Sequence, residues 1–342
     1  HVRKLFRNRV AVVVMCYNRP DYLNRTLQNI LQYKPKSLPL FVSQDGNDLS
    51  VQNLIKQNYS KSVRYIQNYP REQIGNVSRT LIGYYFIALH YKFALTKLFD
   101  EERFERVIVL EDDMEIAPDF FEYFDHFGEA LEEDESLFCV SAWNDNGQKQ
   151  FVRDPTSFRR TSYFPGLGWM LTRRLWQTEL KEKWPRAFWD DWMRDDKQRK
   201  GRDCIYPEVS RTYTFGVEGT SSGQFFNKYL APMKLNNVKV DYKMIGNKTD
   251  LRKDVWETRL IEQIKQSTVV DDVEELIQPN SSIVSGSVVV YYKGEMEYEY
   301  FGNLLGVMTD FKEGDPRCSY RGIVQFYLDN LFVSLVPTFE SW

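Results

Sequence analysis

Val10–Met15 reads VAVVVM, an unbroken apolar and largely β-branched run bounded by polar residues, and predicts a strand buried on both faces. The next stretch, CYNRPDYLNRTLQNILQY, opens on a loop-forming Asn-Arg-Pro and then places Leu23, Leu27, Ile30 and Leu31 at helical spacing. Pro39–Ser43 predicts a second strand, ending in Gln-Asp-Gly, and Val63–Ile66 a third. Leu81–Phe99 is apolar nearly all round, which predicts a long buried helix. Val107–Leu110 predicts the next strand, Pro118–Leu131 the next helix, and Leu137–Ala142 continues the alternation.

Strand following helix over the first half predicts an α/β fold with a mostly parallel sheet and helices on both faces. Ligands of such sheets bind beyond the carboxyl ends of the strands. Arg19, Asp45 and Glu111–Asp113 all fall just past predicted strand ends. After about residue 217 the pattern changes: GVEGTSSGQ is rich in Gly and Ser and predicts a loop. Beyond residue 253, SVVVYYKG and GIVQFYLDNLFVSLVP predict strands, the latter a hairpin around Asp329-Asn330. This divides the chain into a large α/β unit (1–216), a linker (217–252) and a small C-terminal α+β unit (253–342).

Composition narrows the picture. At 342 residues and 42% apolar, the chain can build more than one core, and its net charge of −3 offers no nucleic-acid footprint. No run of about 18 apolar residues occurs, so no membrane contact is expected. The chain begins with His1 and reads as a fragment of a longer precursor. Sequons start at Asn24, Asn58, Asn76, Asn247 and Asn280, which leans toward a lumenal setting. Cys16, Cys139, Cys204 and Cys318 form no C-x-x-C pair, which argues against a zinc site and leaves buried thiols or a disulfide open.

The candidate chemistry lies in two places. In RVIVLEDDMEIAPDFF, Glu111, Asp112 and Asp113 are adjacent, and three carboxylates need a cation or donors. Their hard oxygens suit Mg²⁺ or Mn²⁺, with a phosphate ligand completing the shell. The alternative is an acidic helix start. Asp45 can equally be a turn residue, Arg19 a surface ion pair and His90 a satisfied core histidine. In WPRAFWDDWMR, Trp184, Phe188, Trp189 and Trp192 surround Asp190 and Asp191. Aromatic faces suit sugar rings, and a carboxylate among them is expected to lose water and rise in pKa toward that of a general base. The alternative is an aromatic core segment with surface acids. Glycine-rich Phe164–Leu171 is expected where backbone approaches a ligand.

Taken in order, VIVLEDDMEIAPDFFEYF, VSAWNDNGQ, YFPGLGWML, KWPRAFWDDWMR and PEVSRTYTFG resemble the N-acetylglucosaminyltransferase I family, closely from Val10 to Leu235 and more weakly beyond. The resemblance implies a GT-A fold and inverting transfer of GlcNAc from UDP-GlcNAc to the α1,3-linked mannose of a high-mannose N-glycan, in the Golgi lumen. It implies that Asp113 ligates Mn²⁺, that Asp112 binds the ribose and that Glu111 helps hold GlcNAc. Arg19 would meet the diphosphate, Asp45 and His90 the uracil, and Asp190 would be the catalytic base, with Trp189 beside it. Ser221 and Leu230 would lie where a loop orders over the donor; the Gly- and Ser-rich stretch Gly216–Gly223 suggests that donor binds before acceptor. Cys139 and Cys204 match a family disulfide. Some animal members carry a cysteine where this chain has Gly46, so their first-strand disulfide is absent and Cys16 is expected to be free; Cys318 has no matching partner. The readings that compete are an O-mannose GlcNAc transferase, a catalytically silent carbohydrate-binding domain and a metal-dependent phosphohydrolase.

Overall fold

In the first strand, Val10, Val12 and Val14 pack into one hydrophobic core, while Ala11, Val13 and Met15 pack into another. The period-2 geometry of a strand turns a continuous apolar run into two buried faces. The computed structural model describes residues 10–75, 77–217, 226–245, 248–279, 281–312 and 314–338.

The strands of the large unit are β1 (Val10–Cys16), β2 (Leu40–Asp45), β3 (Arg64–Asn68), β4 (Arg106–Glu111), β5 (Met114–Ile116), β6 (Leu137–Ser141), β7 (Phe158–Thr161), β8 (Trp169–Thr172), β9 (Asp203–Pro207) and β10 (Thr212–Thr214). Among the described residues, eight of them form one sheet in the order β3-β2-β1-β4-β8-β6-β9-β7. Strands β3, β2, β1 and β4 pair in parallel, as do β6 and β9, whereas β8 and β7 run antiparallel to their neighbours. The expected mostly parallel α/β sheet is therefore present, consistent with a GT-A fold. Sequence patterning missed the antiparallel ribbon of β5 and β10, which is too short to carry a period.

The predicted helices form at Pro20–Tyr33, Ile82–Thr96 and Phe120–Glu133. One expectation needs correction. The Ile82–Thr96 helix is not buried all round: its buried residues, Ala88, His90, Tyr91, Ala94 and Leu95, lie in its second half, and Ile82–Ile87 are half-buried. In the apolar first half, Phe86 meets the Arg71 guanidinium and Tyr84 stacks on Phe188.

Cys139 and Cys204, on neighbouring β6 and β9, form the expected disulfide across a separation of 65 residues. In the chain-entropy model that closure contributes roughly 4 kcal/mol. Cys16 is free and buried, as expected, and Cys318 is free and buried too.

The C-terminal strands Thr268–Val269, Gly286–Tyr292, Leu331–Pro337 and Val324–Leu328 form a second sheet, and the predicted hairpin turns at Asp329-Asn330. One face of this sheet builds a third core, with Val288, Val290 and Leu335. From its other face Val289 and Val336 enter the core that also holds Val10 and Val12, as do Trp256 and Leu260 of the Lys253–Gln266 helix. No helix among the described residues is long and apolar enough to cross a membrane.

Candidate active site

Strand β4 ends in Glu111, and Asp112 and Asp113 form the turn that leads into β5. The β5–β10 ribbon holds that turn in place: the Phe215 amide donates to the Asp113 carbonyl at 2.9 Å. A Cβ at Gly216 would collide with the Asp113 carboxylate, so only glycine lets the chain pass so close. From the loop after β1, Arg19 Nη2 reaches Asp113 Oδ2 at 3.1 Å and also pairs with Asp112. Asp112 is buried; Glu111 and Asp113 are half-buried.

Burial raises all three carboxyls. Glu111 is pushed up to about 7, by burial first and then by Asp113. Asp112 is pushed up to about 6 by burial, with Arg19 opposing, and Asp113 is raised for the same reason. One arginine does not offset three desolvated acids.

Tyr91 carries the cluster to the second motif. Its hydroxyl donates to Glu111 Oε1 at 2.8 Å, and its ring stacks on Trp189 with centroids 4.1 Å apart. Burial, then Glu111, then Asp190 and Asp113 hold the Tyr91 phenol protonated well above its usual range. The structure thus brings together Arg19, Glu111, Asp112, Asp113, Trp189 and Asp190. Sequence reading missed Tyr91, although it follows His90 directly and its neighbour position was the only signal.

Two expectations for the aromatic motif are corrected. Trp184 and Trp189 are buried and stack on each other, and Trp189 also stacks on Trp169, so they support the helix Trp189–Arg194 rather than form open sugar platforms. Phe188 is the exposed ring of the group at 38%, held at a left-handed φ of +52°. Asp190 is not desolvated either: its carboxylate is 42% exposed and accepts from Arg194 Nη1 at 2.8 Å. The same Nη1 donates to Asp191 at 2.9 Å. The helix faces its acids outward and its indoles inward, which local spacing alone did not resolve.

Asp45 ends β2, accepts from Asn68 Nδ2 at 2.9 Å and pairs with Arg71 at 2.9 Å. His90 is buried, with Nε2 2.8 Å from Ser43 Oγ on the same strand. Burial, reinforced by the charge of Arg71, lowers its pKa to about 3. Leu230 is half-buried at the end of the Phe226–Leu230 turn, and Ser221 lies outside the described residues. The close approach expected of the glycine-rich segment is to protein: a Cβ at Gly168 would come within 2.6 Å of Thr212 Cγ2.

Among the described residues no group of three or more His, Cys, Asp or Glu is arranged to enclose a metal ion by itself. The donor chemistry nevertheless fits one divalent ion. Buried hard oxygens with too little positive charge gain from a dication, and one protein carboxylate suffices when a diphosphate and water supply the other ligands.

The α/β fold, with an acidic, arginine-flanked edge at the carboxyl ends of a mostly parallel sheet, is consistent with the class of GT-A glycosyltransferases. The chain belongs to the GNT-I family, whose model matches residues 3–342. It is 44% identical over 322 residues to the Arabidopsis thaliana protein named alpha-1,3-mannosyl-glycoprotein 2-beta-N-acetylglucosaminyltransferase, covering 92% of this chain and 71% of that protein. Distant likenesses include S. aureus TarS in complex with UDP-GlcNAc (14% identity, TM-score 0.42, 63% of this chain and 61% of that one). Another is the mannosyltransferase PcManGT from Pyrobaculum calidifontis with GDP-Man and Mn²⁺ (17% identity, TM-score 0.38, 59% of this chain and 57% of that one). Both are too remote to bear on the chemistry.

Proposed function

We propose that this chain transfers GlcNAc from UDP-GlcNAc to O2 of the α1,3-linked mannose of an N-glycan, with inversion, in the Golgi lumen. The observation that carries the reading is the family match along residues 3–342, which includes the acids, Arg19 and Asp190. A bound Mn²⁺ would offset the charge that develops on the departing diphosphate, and Asp113 is the residue that would hold it.

The chain's own residues have separate tasks. Arg19, already in contact with Asp112 and Asp113, binds the diphosphate. Asp112 orients the ribose, and Glu111, steadied by Tyr91, orients the GlcNAc hydroxyls. Asp45 and His90 seat the base, and Leu230, with Ser221, belongs to the segment that covers the donor. Asp190 takes the proton from mannose O2. Its partial exposure suits that task, because an acceptor must reach it from solvent, and Arg194 fixes its orientation. Inversion needs this single base, since a nucleoside diphosphate leaves without a general acid.

The test is a side-by-side assay with UDP-GlcNAc on a Man5 N-glycan and on an O-mannosyl peptide, with and without EDTA. Transfer to the N-glycan that stops in chelator and returns with Mn²⁺ is expected. Preference for the O-mannosyl peptide would replace the acceptor, and full activity in EDTA would remove the metal.

A further inference from the structure

Just before the helix Trp189–Arg194 the chain keeps a residue that its own backbone disfavours. Phe188 sits at φ +52° and ψ +47°, the left-handed region that suits Gly or Asn, where a bulky ring is an outlier. It also occupies the cap position, where Ser, Thr, Asp or Asn would answer a free amide, and it makes no side-chain cap hydrogen bond. Burial does not account for it either, because Phe188 is 38% exposed while Trp184 and Trp189 are buried. Backbone, cap and core all favour another residue, and strain of this kind persists where a site requires the side chain.

The ring is held in place all the same. Half-buried Tyr84, in the first turn of the Ile82–Thr96 helix, stacks on it with centroids 4.7 Å apart and planes 26° from parallel. A second ring thus backs Phe188 and leaves part of its surface open. Two residues further on, Asp190 turns its carboxylate toward solvent, 42% exposed, while Trp189 and Met193 of the same helix are buried. Two residues span at most about 7 Å of backbone. A sugar whose hydroxyl meets Asp190 therefore brings its own ring, or the next ring of the same glycan, to Phe188. The rim is polar: Arg186, two residues before Phe188, is exposed and pairs with exposed Glu72 at 2.9 Å.

A pyranose has the complementary make-up, an apolar C–H face with hydroxyls around its edge. The face suits an aromatic ring, and the hydroxyls suit a rim that offers both donors and acceptors. We propose that Phe188, backed by Tyr84, is the platform on which a pyranose of the acceptor glycan stacks while a hydroxyl of that glycan is presented to Asp190. This rests on the transferase reading above and adds to it a residue that determines acceptor affinity.

The experiment measures initial rates against the concentration of a Man5 N-glycan and of an O-mannosyl peptide, with UDP affinity read by calorimetry. Phe188→Asn removes the ring and suits the left-handed backbone. The KM of the acceptor that the wild-type chain uses is expected to rise about 3- to 10-fold, the effect of one aromatic stack. Saturated kcat and UDP affinity are expected to change less than about twofold, because the stack serves ground and transition states alike. The melting temperature holds or rises as the backbone strain is relieved. Phe188→Trp, which keeps an aromatic face, holds the KM, and Tyr84→Ala, which removes the backing, raises it by a smaller factor. Phe188→Leu keeps apolar bulk without that face, and if Phe188→Asn does not fold, the KM of Phe188→Leu decides in its place. An unchanged acceptor KM in the folded variant, or a loss confined to kcat or to melting temperature, overturns the platform. If the wild-type chain transfers GlcNAc to neither acceptor, the transferase reading has failed, and the platform with it.

Discussion

Asp113 and Asp119 both follow strand β4, and both lie against the β10 segment, but their surroundings differ. Asp119 is wholly buried and saturated: its carboxylate accepts from Arg211 Nε at 3.2 Å and Nη2 at 3.1 Å, from Asn236 at 2.8 Å and from the Tyr242 hydroxyl at 2.8 Å. Asp113 shares Arg19 with Asp112 and has Glu111 beside it, so its cluster is short of positive charge. The first carboxylate is structural, because every oxygen is answered within the protein. The second is held under-compensated, which leaves it free to respond to a ligand that brings charge. Saturation by long-range donors therefore separates a scaffold acid from a site acid better than burial does.

Paired substitutions can break that contrast. Asp113→Asn is expected to lower turnover about 10³-fold, in the range seen when an electrostatic group is lost from a reacting centre, while the melting temperature holds or rises as repulsion is relieved. Asp119→Ala is expected to cost about 3–5 kcal/mol of stability, since it strands Arg211 buried and unpaired. Denaturant titration and initial rates read the two. If Asp113→Asn unfolds the chain, or Asp119→Ala leaves stability unchanged, the distinction is lost.

Asp190→Asn is expected to lower turnover about 10²-fold or more while UDP-GlcNAc still binds, as removal of a general base should. A near-wild-type rate would mean that the proton goes elsewhere.

His90 is a third kind of buried titratable group, kept neutral in the fold. Its folded pKa of about 3 lies below the unfolded value near 6.5. The unfolded chain therefore binds the extra proton first, and the stability present above pH 6.5 is lost as pH falls toward 3. Between pH 7 and pH 5 this group accounts for about 2 kcal/mol of that loss. His90→Gln should flatten the drop in unfolding free energy read from urea titrations by about that much, and an unchanged slope would contradict the assignment.

The smallest effect is expected at the junction of the two motifs. Tyr91→Phe keeps the ring on Trp189 but removes the donor to Glu111, so kcat/KM should fall about 10-fold with little change in melting temperature. A loss confined to stability would make Tyr91 a packing residue alone.

Much of this molecule is local in origin. Strand and helix periods are set by which residues a few positions apart must be buried together. The alternation through Ser141, the acids past β4 and the C-terminal hairpin are therefore readable in the chain. The short β5–β10 ribbon was not readable, because three residues carry no period. The exposure of Asp190 was not readable either, since acids and indoles share one short helix.

What only the tertiary structure decided is which charges meet. Arg19 and Asp112 are separated by 93 positions, Arg211 and Asp119 by 92, and Trp184 donates its indole N–H to Ala88 across 96. Arg71 and Asp45 meet in the same way, across the helix Leu49–Leu54 and strand β3. The energy of a buried ion depends on every donor and every water around it. That sum is taken over space rather than along the sequence, so the chain could name its acids but only the fold could say which of them were left wanting a partner.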